Sequence, residues 1–444
     1  MKPAPYPLQV ALALACALTS GLGPAVAQAA APLATKPAVA AKPATAAKAT
    51  VPAKARAGAK PSAVKPASKA APVVTTVPRY VWLHAIEAQP GDRELYERLC
   101  NEVAAGWDST RGVFATRDGT PAEGAIELAF ARGRDGDALW EKRALQSMNW
   151  TRQLLDTVGG GYVDGLKDKD PRDPRFAKHT LPNARRLELL TIAHALNSDA
   201  SWKHDIAFVA DHFERVLQDP RGGFFTGQIA TMDLEPESNG VGLQAWLRVG
   251  AISGDPNRRD FARRTFGRLW GSSHHPELGL VRRDRFGTIR EPSVLLDQVE
   301  VGRAHLMAWQ VSAGDSDLVR ARACGQHVLD HFEDIKKGGF RTDYASDRFG
   351  KLRRARRPFD DNARAARFLV ELSAATGDTA FVGAARRSWQ AFDRGFSKSK
   401  LDAADWALAV RALWAPEPLP IVRWRDRSGG RPGSQGVAGA TRSR

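Results

Sequence analysis

The chain has 444 residues, 43% of them hydrophobic, and a formal net charge of +16, a length that accommodates one large folded body or two ordinary ones. The charge sits at the ends. Residues 30–76 carry seven lysines (36, 42, 48, 54, 60, 65 and 69) and Arg56 with no acid, the tail over 422–444 sets six arginines against Asp426, and Lys2 adds one more, leaving about +2 for residues 77–421. With no recognition motif beside that charge, nucleic acid is not expected as a partner. The lack of a CxxC or a His/Cys cluster excludes a thiol redox motif and a zinc-ligand pattern, and no metal or cofactor is expected.

The first 29 residues read as an export signal. Lys2 is their only charge, LQVALALACAL forms an apolar run over 8–18, and Ala27-Gln28-Ala29 supplies the small residues of a cleavage site. Cleavage after Ala29 is favoured over a retained anchor, because the run is shorter than the roughly 20 apolar residues a spanning helix needs. Cys16 lacks the flanking residues of a lipid attachment site, and no transmembrane segment is expected after signal cleavage. Residues 30–76 are almost wholly Ala, Pro, Lys, Val and Thr, side chains that cannot offset the cost of ordering a backbone. They form a disordered basic tether able to rest against anionic cell-envelope polymer or lipid, and the tail over 422–444 is a second disordered basic segment. The protein is expected in the periplasm or secreted. Export permits a disulfide between Cys100 and Cys324. Both lie in helical-looking runs, so bonding and simple burial stay open.

Residues 77–421 repeat one phrase. A glycine followed by an apolar residue recurs in RGVF, GGGY, GGFF, LGLV, GGFR and RGFS, with the key glycines at 112, 161, 223, 279, 339 and 395, spaced by 49, 62, 56, 60 and 56. Intervals in this range mark stacked supersecondary units. Between the marks the pattern is helical. Leu187, Leu190, Ala193 and Leu196 form one stripe, and Ile206, Val209, Phe213 and Val216 form the next. Gly254-Asp255, Gly314-Asp315 and Gly377-Asp378 separate paired helices. The glycine closes one helix in the left-handed region and the aspartate caps the next. The unit is therefore helix, GD turn, helix, glycine-marked loop. Six hairpins that cannot bury their apolar stripes alone are best satisfied by closing into an (α/α)6 toroid, with an open solenoid as the competing arrangement. The first helix of each hairpin, flatter in charge, is expected inside, with the loops before it at the pocket end.

Three long phrases carry a family resemblance: LLDTVGGGYVDGLKDKDPRDPRFAKHTLPNA over 154–184, QDPRGGFFTGQ over 218–228 and DDNARAARFLVELSAATGD over 360–378. Residues 130–415 resemble the helical region of the spermatogenesis-associated, thioredoxin-domain-containing family, whose bacterial members include YyaL-like proteins. More distantly the chain is similar to six-hairpin glycosidases and N-acylglucosamine 2-epimerases. The family's thioredoxin-like domain has no counterpart here. Phe176, Lys178 and Asn183-Ala184 keep family identities, whereas Arg175, Ala177 and Pro182 replace a histidine, a glutamate and an aspartate. Gln298-Val299 replaces an aspartate-tyrosine pair, and Gln228 fits the family phrase while Ile229 replaces an acid. The resemblance implies a toroid of carbohydrate-active type.

Sugar cleavage needs one carboxyl group to donate a proton and a second to activate water or attack carbon, whereas epimerisation needs bases that move a proton on carbon. The pocket-end acids are Asp233, Glu235 and Glu237 before the second inner helix, Asp297 and Glu300 at the third, and Asp360 and Asp361 at the fourth. Asp360, Asp361, Asp297, Glu300 and Glu237 are the catalytic candidates. Each has a plainer role: Asp361 caps the helix of NARAARFL, Glu237-Ser238-Asn239 caps GVGLQAWL, and Asp297 and Glu300 face solvent or pair with Arg303. His179, Lys178, Gln228, Trp246 and Trp309 are the candidates for substrate contact, the tryptophans as platforms for sugar rings or else, with Trp406, as core. His194, His305 and His327 read as packing residues, His274-His275 as loop, and Tyr162, Phe224 and Phe340 as plugs between hairpins. Two readings follow: a periplasmic carbohydrate-active enzyme, either glycoside hydrolase or sugar isomerase/epimerase, and a non-catalytic toroid that binds glycan or protein.

Overall fold

A computed structural model describes residues 81–416 except 82, 168–169, 171–172, 230–233, 285, 292, 313, 343–355 and 398. The expected export signal over 1–29, the expected tether over 30–76, the tail over 422–444, the ends of the 77–421 span and Asp233 lie outside the described residues.

Among the described residues there are twelve α-helices: α1 Pro90–Ala104, α2 Glu123–Arg134, α3 Ala138–Thr151, α4 Thr180–Asn197, α5 Ala200–His212, α6 Pro236–Ser253, α7 Pro256–Ser273, α8 Leu295–Ser312, α9 Asp315–His331, α10 Phe359–Thr376, α11 Thr379–Phe396 and α12 Ala403–Arg411. The even-numbered helices form a closed inner ring, in which α2 packs on α4, α4 on α6, α6 on α8, α8 on α10, α10 on α12 and α12 on α2. The odd-numbered helices lie outside. Helices α3, α5, α7, α9 and α11 each pack on the helix before them, and α1 packs on α12. The fold is an (α/α)6 toroid, and the open solenoid is excluded.

The ring closes differently from the repeat expected at its start. Gly112 follows a lone outer helix, α1, whose inner partner α12 arrives at the other end of the chain. The six glycine marks therefore count outer helices rather than complete hairpins. Five of them have left-handed backbones, with φ of 68° at Gly112, 72° at Gly161, 108° at Gly223, 66° at Gly279 and 79° at Gly339, a region that favours glycine. Gly395 instead lies inside α11.

Four of the glycine turns, at Gly161, Gly223, Gly279 and Gly339, are locked to the next inner helix by an amide side chain. Asn183 Oδ1 accepts from the Tyr162 amide at 2.6 Å while its Nδ2 donates to the Tyr162 carbonyl at 2.9 Å. Asn239 brackets Phe224 in the same way at 2.7 and 3.1 Å, Asn362 brackets Phe340 at 2.5 and 2.9 Å, and Gln298 brackets Leu280 at 3.1 and 2.8 Å. Buried backbone groups outside regular structure need such partners. Tyr162, Phe224 and Phe340 are consequently held fully inside, as plugs between hairpins.

Most of the GD turns work as expected. Gly254 and Gly377 are left-handed at 69° and 72°, and Asp255 and Asp378 cap α7 and α11 through the Asn257 and Ala380 amides at 2.9 and 3.1 Å. The third differs: Gly314 is itself the N-cap in an extended conformation, and Asp315 is the first residue of α9. Two tryptophans expected in inner-helix positions belong to the core. Trp246 is wedged among Phe213, Phe224 and Phe261 with ring centroids 6.0–6.1 Å away, and Trp406 among Phe359, Phe392 and Phe396 at 5.3–5.7 Å. Cys100 and Cys324 are both buried and free. No helix among the described residues is long and apolar enough to cross a membrane.

Candidate active site

All six inner helices open onto one cavity of about 260 Å3 on the ring axis. Its walls are Glu123 and Glu127 of α2, Arg185 and Glu188 of α4, Arg248 of α6, Arg303 of α8, Asp360, Arg364 and Arg367 of α10 and Asp405 of α12, together with Thr116, Leu401 and Asp402 from the connecting loops. Asp360 and Asp405 lie at the N-terminal ends of their helices, so the mouth opens at the end where the glycine-marked loops lead into the inner helices.

Most of the charge on the walls is internally compensated. Arg364 reaches Glu300 of α8 at 2.7 Å and Glu237 of α6 at 3.1 Å, and Arg185 reaches the same Glu300 at 3.0 Å. Arg367 pairs with Glu127 at 2.6 Å and Glu371 at 3.0 Å, and Arg303 with Glu371 at 3.1 Å. Arg248 faces Glu188 at 3.5 Å. These pairs tie helices together across the axis. Despite burial, Glu300 lies far below the usual carboxylate range because Arg185 and Arg364 hold it, and Arg367 holds Glu127 down to about 2.

Three mouth acids stand outside that scheme. Among the described residues no cation is ion-paired with Asp360, Asp402 or Asp405. Asp360 is pushed up to about 6 by burial and by the neighbouring charges of Asp402, Asp405 and Asp361, against the pull of Arg364. Asp405 is also raised, by burial and Glu127, and opposed by Arg185, Arg367 and Arg364. Room for its carboxylate comes from Gly124 of α2, where a Cβ would stand 2.9 Å from Asp405 Oδ1. Like charges gathered without ion-paired partners oppose folding, and such arrangements concentrate where chemistry needs a shifted proton affinity. Among the described residues no group of three or more His, Cys, Asp or Glu side chains is arranged to hold a metal ion.

Of the catalytic and substrate-contact candidates among the described residues, only Asp360 lines this cavity. Asp361 is not the N-cap of its helix. α10 begins two residues earlier with Pro358 as N-cap, and burial raises the Asp361 carboxyl. Glu237, Asp297 and Glu300 stand behind the wall. Asp297 is fully buried, held by Arg282 at 2.9 and 3.0 Å and by the Glu237 amide at 3.1 Å, and burial lifts it to about 7 against that arginine. Its partner is Arg282, and that of Glu300 is Arg185 with Arg364, so neither uses the expected Arg303. Burial also raises Glu237, with Arg364 opposing. The capping expected of Glu237-Ser238-Asn239 falls elsewhere, since Glu235 is the N-cap of α6 and Ser238 Oγ donates to the Glu235 carboxylate at 2.6 Å.

The candidates for substrate contact also lie off the cavity. Lys178 is buried, its Nζ donating to Asp156 at 2.6 Å and to the Gly160 carbonyl at 2.7 Å. It pins the GGG turn. His179 is the exposed N-cap of α4 with Nδ1 against Asp164, and Gln228 is exposed, its amide reaching the Phe176 carbonyl at 3.3 Å. Trp246 is core, and Trp309 packs half-buried against the core. Of the other histidines, His305 is buried with Nδ1 2.9 Å from Asp317 and its ring 4.5 Å from Phe266, and His327 lies against Ser293 at 3.2 Å.

Sequence reading missed Asp402 and Asp405, together with Glu123, Glu127, Glu188 and the five cavity arginines. A signal was present: Asp360, Arg364, Arg367 and Glu371 recur at spacings of four, three and four along one face of α10, which marks a charged stripe down one side of that helix.

No family model matches the chain, and no curated protein does. Solved structures do. D-mannose isomerase aligns with a TM-score of 0.57 at 16% identity, covering 69% of this chain and 88% of that one. The cellobiose 2-epimerase of Bacillus thermoamylovorans B4167 gives 0.57 at 11%, covering 68% and 87%. The glycoside hydrolase family 76 alpha-mannanase of Bacteroides thetaiotaomicron gives 0.57 at 10%, covering 73% and 98%. At these identities the likeness is one of fold: this chain is an (α/α)6 toroid similar to sugar epimerases, isomerases and glycoside hydrolases.

Proposed function

We propose that the axial cavity binds a glycan and hydrolyses a glycosidic bond, with Asp360 as proton donor and Asp405 as the second carboxylate. The observation that carries this reading is the group of acids at the mouth with no ion-paired cation among the described residues, where Asp360 is raised to about 6 and keeps its proton in mildly acidic solution. Protonated Asp360 delivers that proton to the leaving oxygen as the C–O bond breaks. Asp405, faced by Arg185, Arg364 and Arg367, takes a proton from the attacking water. The sugar isomerase/epimerase alternative has less support, since the cavity lining among the described residues contains no histidine. The fold shared with sugar-processing structures supports a glycan as ligand. Membership of the spermatogenesis-associated, YyaL-like family is part of the proposal, as are export to the periplasm and association of the 30–76 tether with the cell envelope.

A turnover and binding screen of neutral and acidic oligosaccharides tests the reading. The wild-type chain should release reducing sugar with an activity that falls as pH rises through about 6, and Asp360→Asn should bind the same glycan without turning it over. Equal turnover by both proteins would refute the assignment of Asp360, and glycan bound without turnover by either would favour the non-catalytic toroid.

A further inference from the structure

We infer that the axial cavity is blind, admitting one end of a glycan chain, so that the site releases terminal units and does not cut internally. This rests on the hydrolase reading and narrows its substrate to chain ends. The far end of the ring is crossed by residue 81 and residues 83–89. The amides of Val81, His84 and Ile86 donate to the carbonyls of Gln310 at 3.0 Å, Ala374 at 3.5 Å and Leu413 at 2.6 Å, stitching this strap across the C-terminal ends of α8, α10 and α12. Leu83 of the strap lines a second axial cavity of only about 20 Å3, with Leu306, Met307, Gln310, Gln244 and Glu371 around it.

Arg248 and Arg303 line both cavities and form the partition between them. Each is buried and braced by a carboxylate, Glu188 at 3.5 Å and Glu371 at 3.1 Å. Arg248 Nε stands 3.5 Å from Glu188 without making a hydrogen bond among the described residues, and so keeps a donor at the floor, where the last sugar oxygen would rest. Depth follows from α10. Asp360 and Arg367 both line the main cavity, while Glu371 appears only beyond the partition. At about 1.5 Å of rise per residue, the floor lies on the order of 10 Å below the mouth acids. That space takes a mono- or disaccharide. An internal cut would require the chain to continue past the scissile bond in both directions, and Arg248, Arg303 and Leu83 stand across one of them.

The test follows product size and binding with the full chain, using oligosaccharide ladders labelled at one end and matching ladders capped at either end by a bulky group. Mono- or disaccharides as the only early products, and loss of binding on capping one particular end, are the expected result. Internal fragments at early times would overturn the blind-site inference while leaving hydrolysis intact. Binding abolished by an end cap without any turnover would support the blind cavity and sink the hydrolase reading. Binding unaffected by caps at either end, or no binding at all, would overturn the inference.

Discussion

Replacing Asp360 by asparagine should make the protein more stable in neutral solution and leave its stability unchanged in acid. The reason is linkage. Asp360 titrates from 3.8 in the absence of the fold to about 6 within it, because burial and Asp402, Asp405 and Asp361 disfavour its charge. A carboxylate raised in this way is bound to its proton more tightly in the folded state. The penalty is absent below about pH 3.5, grows as pH rises through the interval between the two values, and is complete above about pH 7. A shift of about two units corresponds to roughly 3 kcal/mol, and because Asp360 reaches solvent at the cavity mouth the expected effect is reduced to about 1–2 kcal/mol. Asparagine removes the charge at nearly constant shape. For a body of this size that is a rise in Tm of about 1–3 °C at pH 8, shrinking to nothing near pH 3.5. Thermal melts of wild type and Asp360→Asn across this range read it directly. A variant less stable than wild type at pH 8, or a difference independent of pH, would show that Asp360 is not held protonated by its surroundings.

Other consequences concern the frame around the cavity. Arg364→Met leaves Glu300 and Glu237 without a guanidinium they share, and urea unfolding should show a loss of about 3–5 kcal/mol, part of it regained when Glu300→Gln is added. Asn362→Ala strands the Phe340 amide and carbonyl and the Pro358 carbonyl, for an expected cost of about 2–4 kcal/mol in the same assay. Lys178→Met should lower stability while leaving glycan affinity unchanged, as calorimetric titration would report, because Lys178 braces a turn and does not line the cavity. Asp156, held down to about 2 chiefly by Lys178, contributes stability that is lost as pH falls from about 4 through about 2, and acid titration of the same variant should show that dependence weakened.

The architecture was legible because its causes are local. Left-handed glycines, Gly-Asp turns and apolar stripes are set within one or two helical turns, and their recurrence implied a ring. The misplaced first unit has the same origin: a glycine mark records the end of an outer helix and cannot say that the inner partner of α1 lies some 300 residues downstream in α12. The site was legible only at Asp360. Its companions Asp402 and Asp405 lie at the end of and just after a short 3-10 turn, Lys400–Asp402, without the repeating phrase that drew attention to the other helix starts. Asp297 and Glu300 looked equally suitable as catalytic acids, but both are fully buried behind the cavity wall, Asp297 against Arg282 and Glu300 against Arg185 and Arg364. Arg364 and Arg185 come from helices far apart in sequence, and no period predicts that both converge on Glu300. Trp246 and Trp406 similarly owe their burial to phenylalanines on neighbouring elements.

The most direct measurement is a crystal structure of Asp360→Asn with an oligosaccharide that the wild-type chain cleaves. The sugar should lie in the axial cavity, its glycosidic oxygen within about 3 Å of the substituted side chain, its terminal unit against Arg248 and Arg303, and Asp405 on the opposite side of the scissile bond. A glycan held on the outer face of the ring, or one in the cavity whose glycosidic bond is remote from positions 360 and 405, would contradict the account.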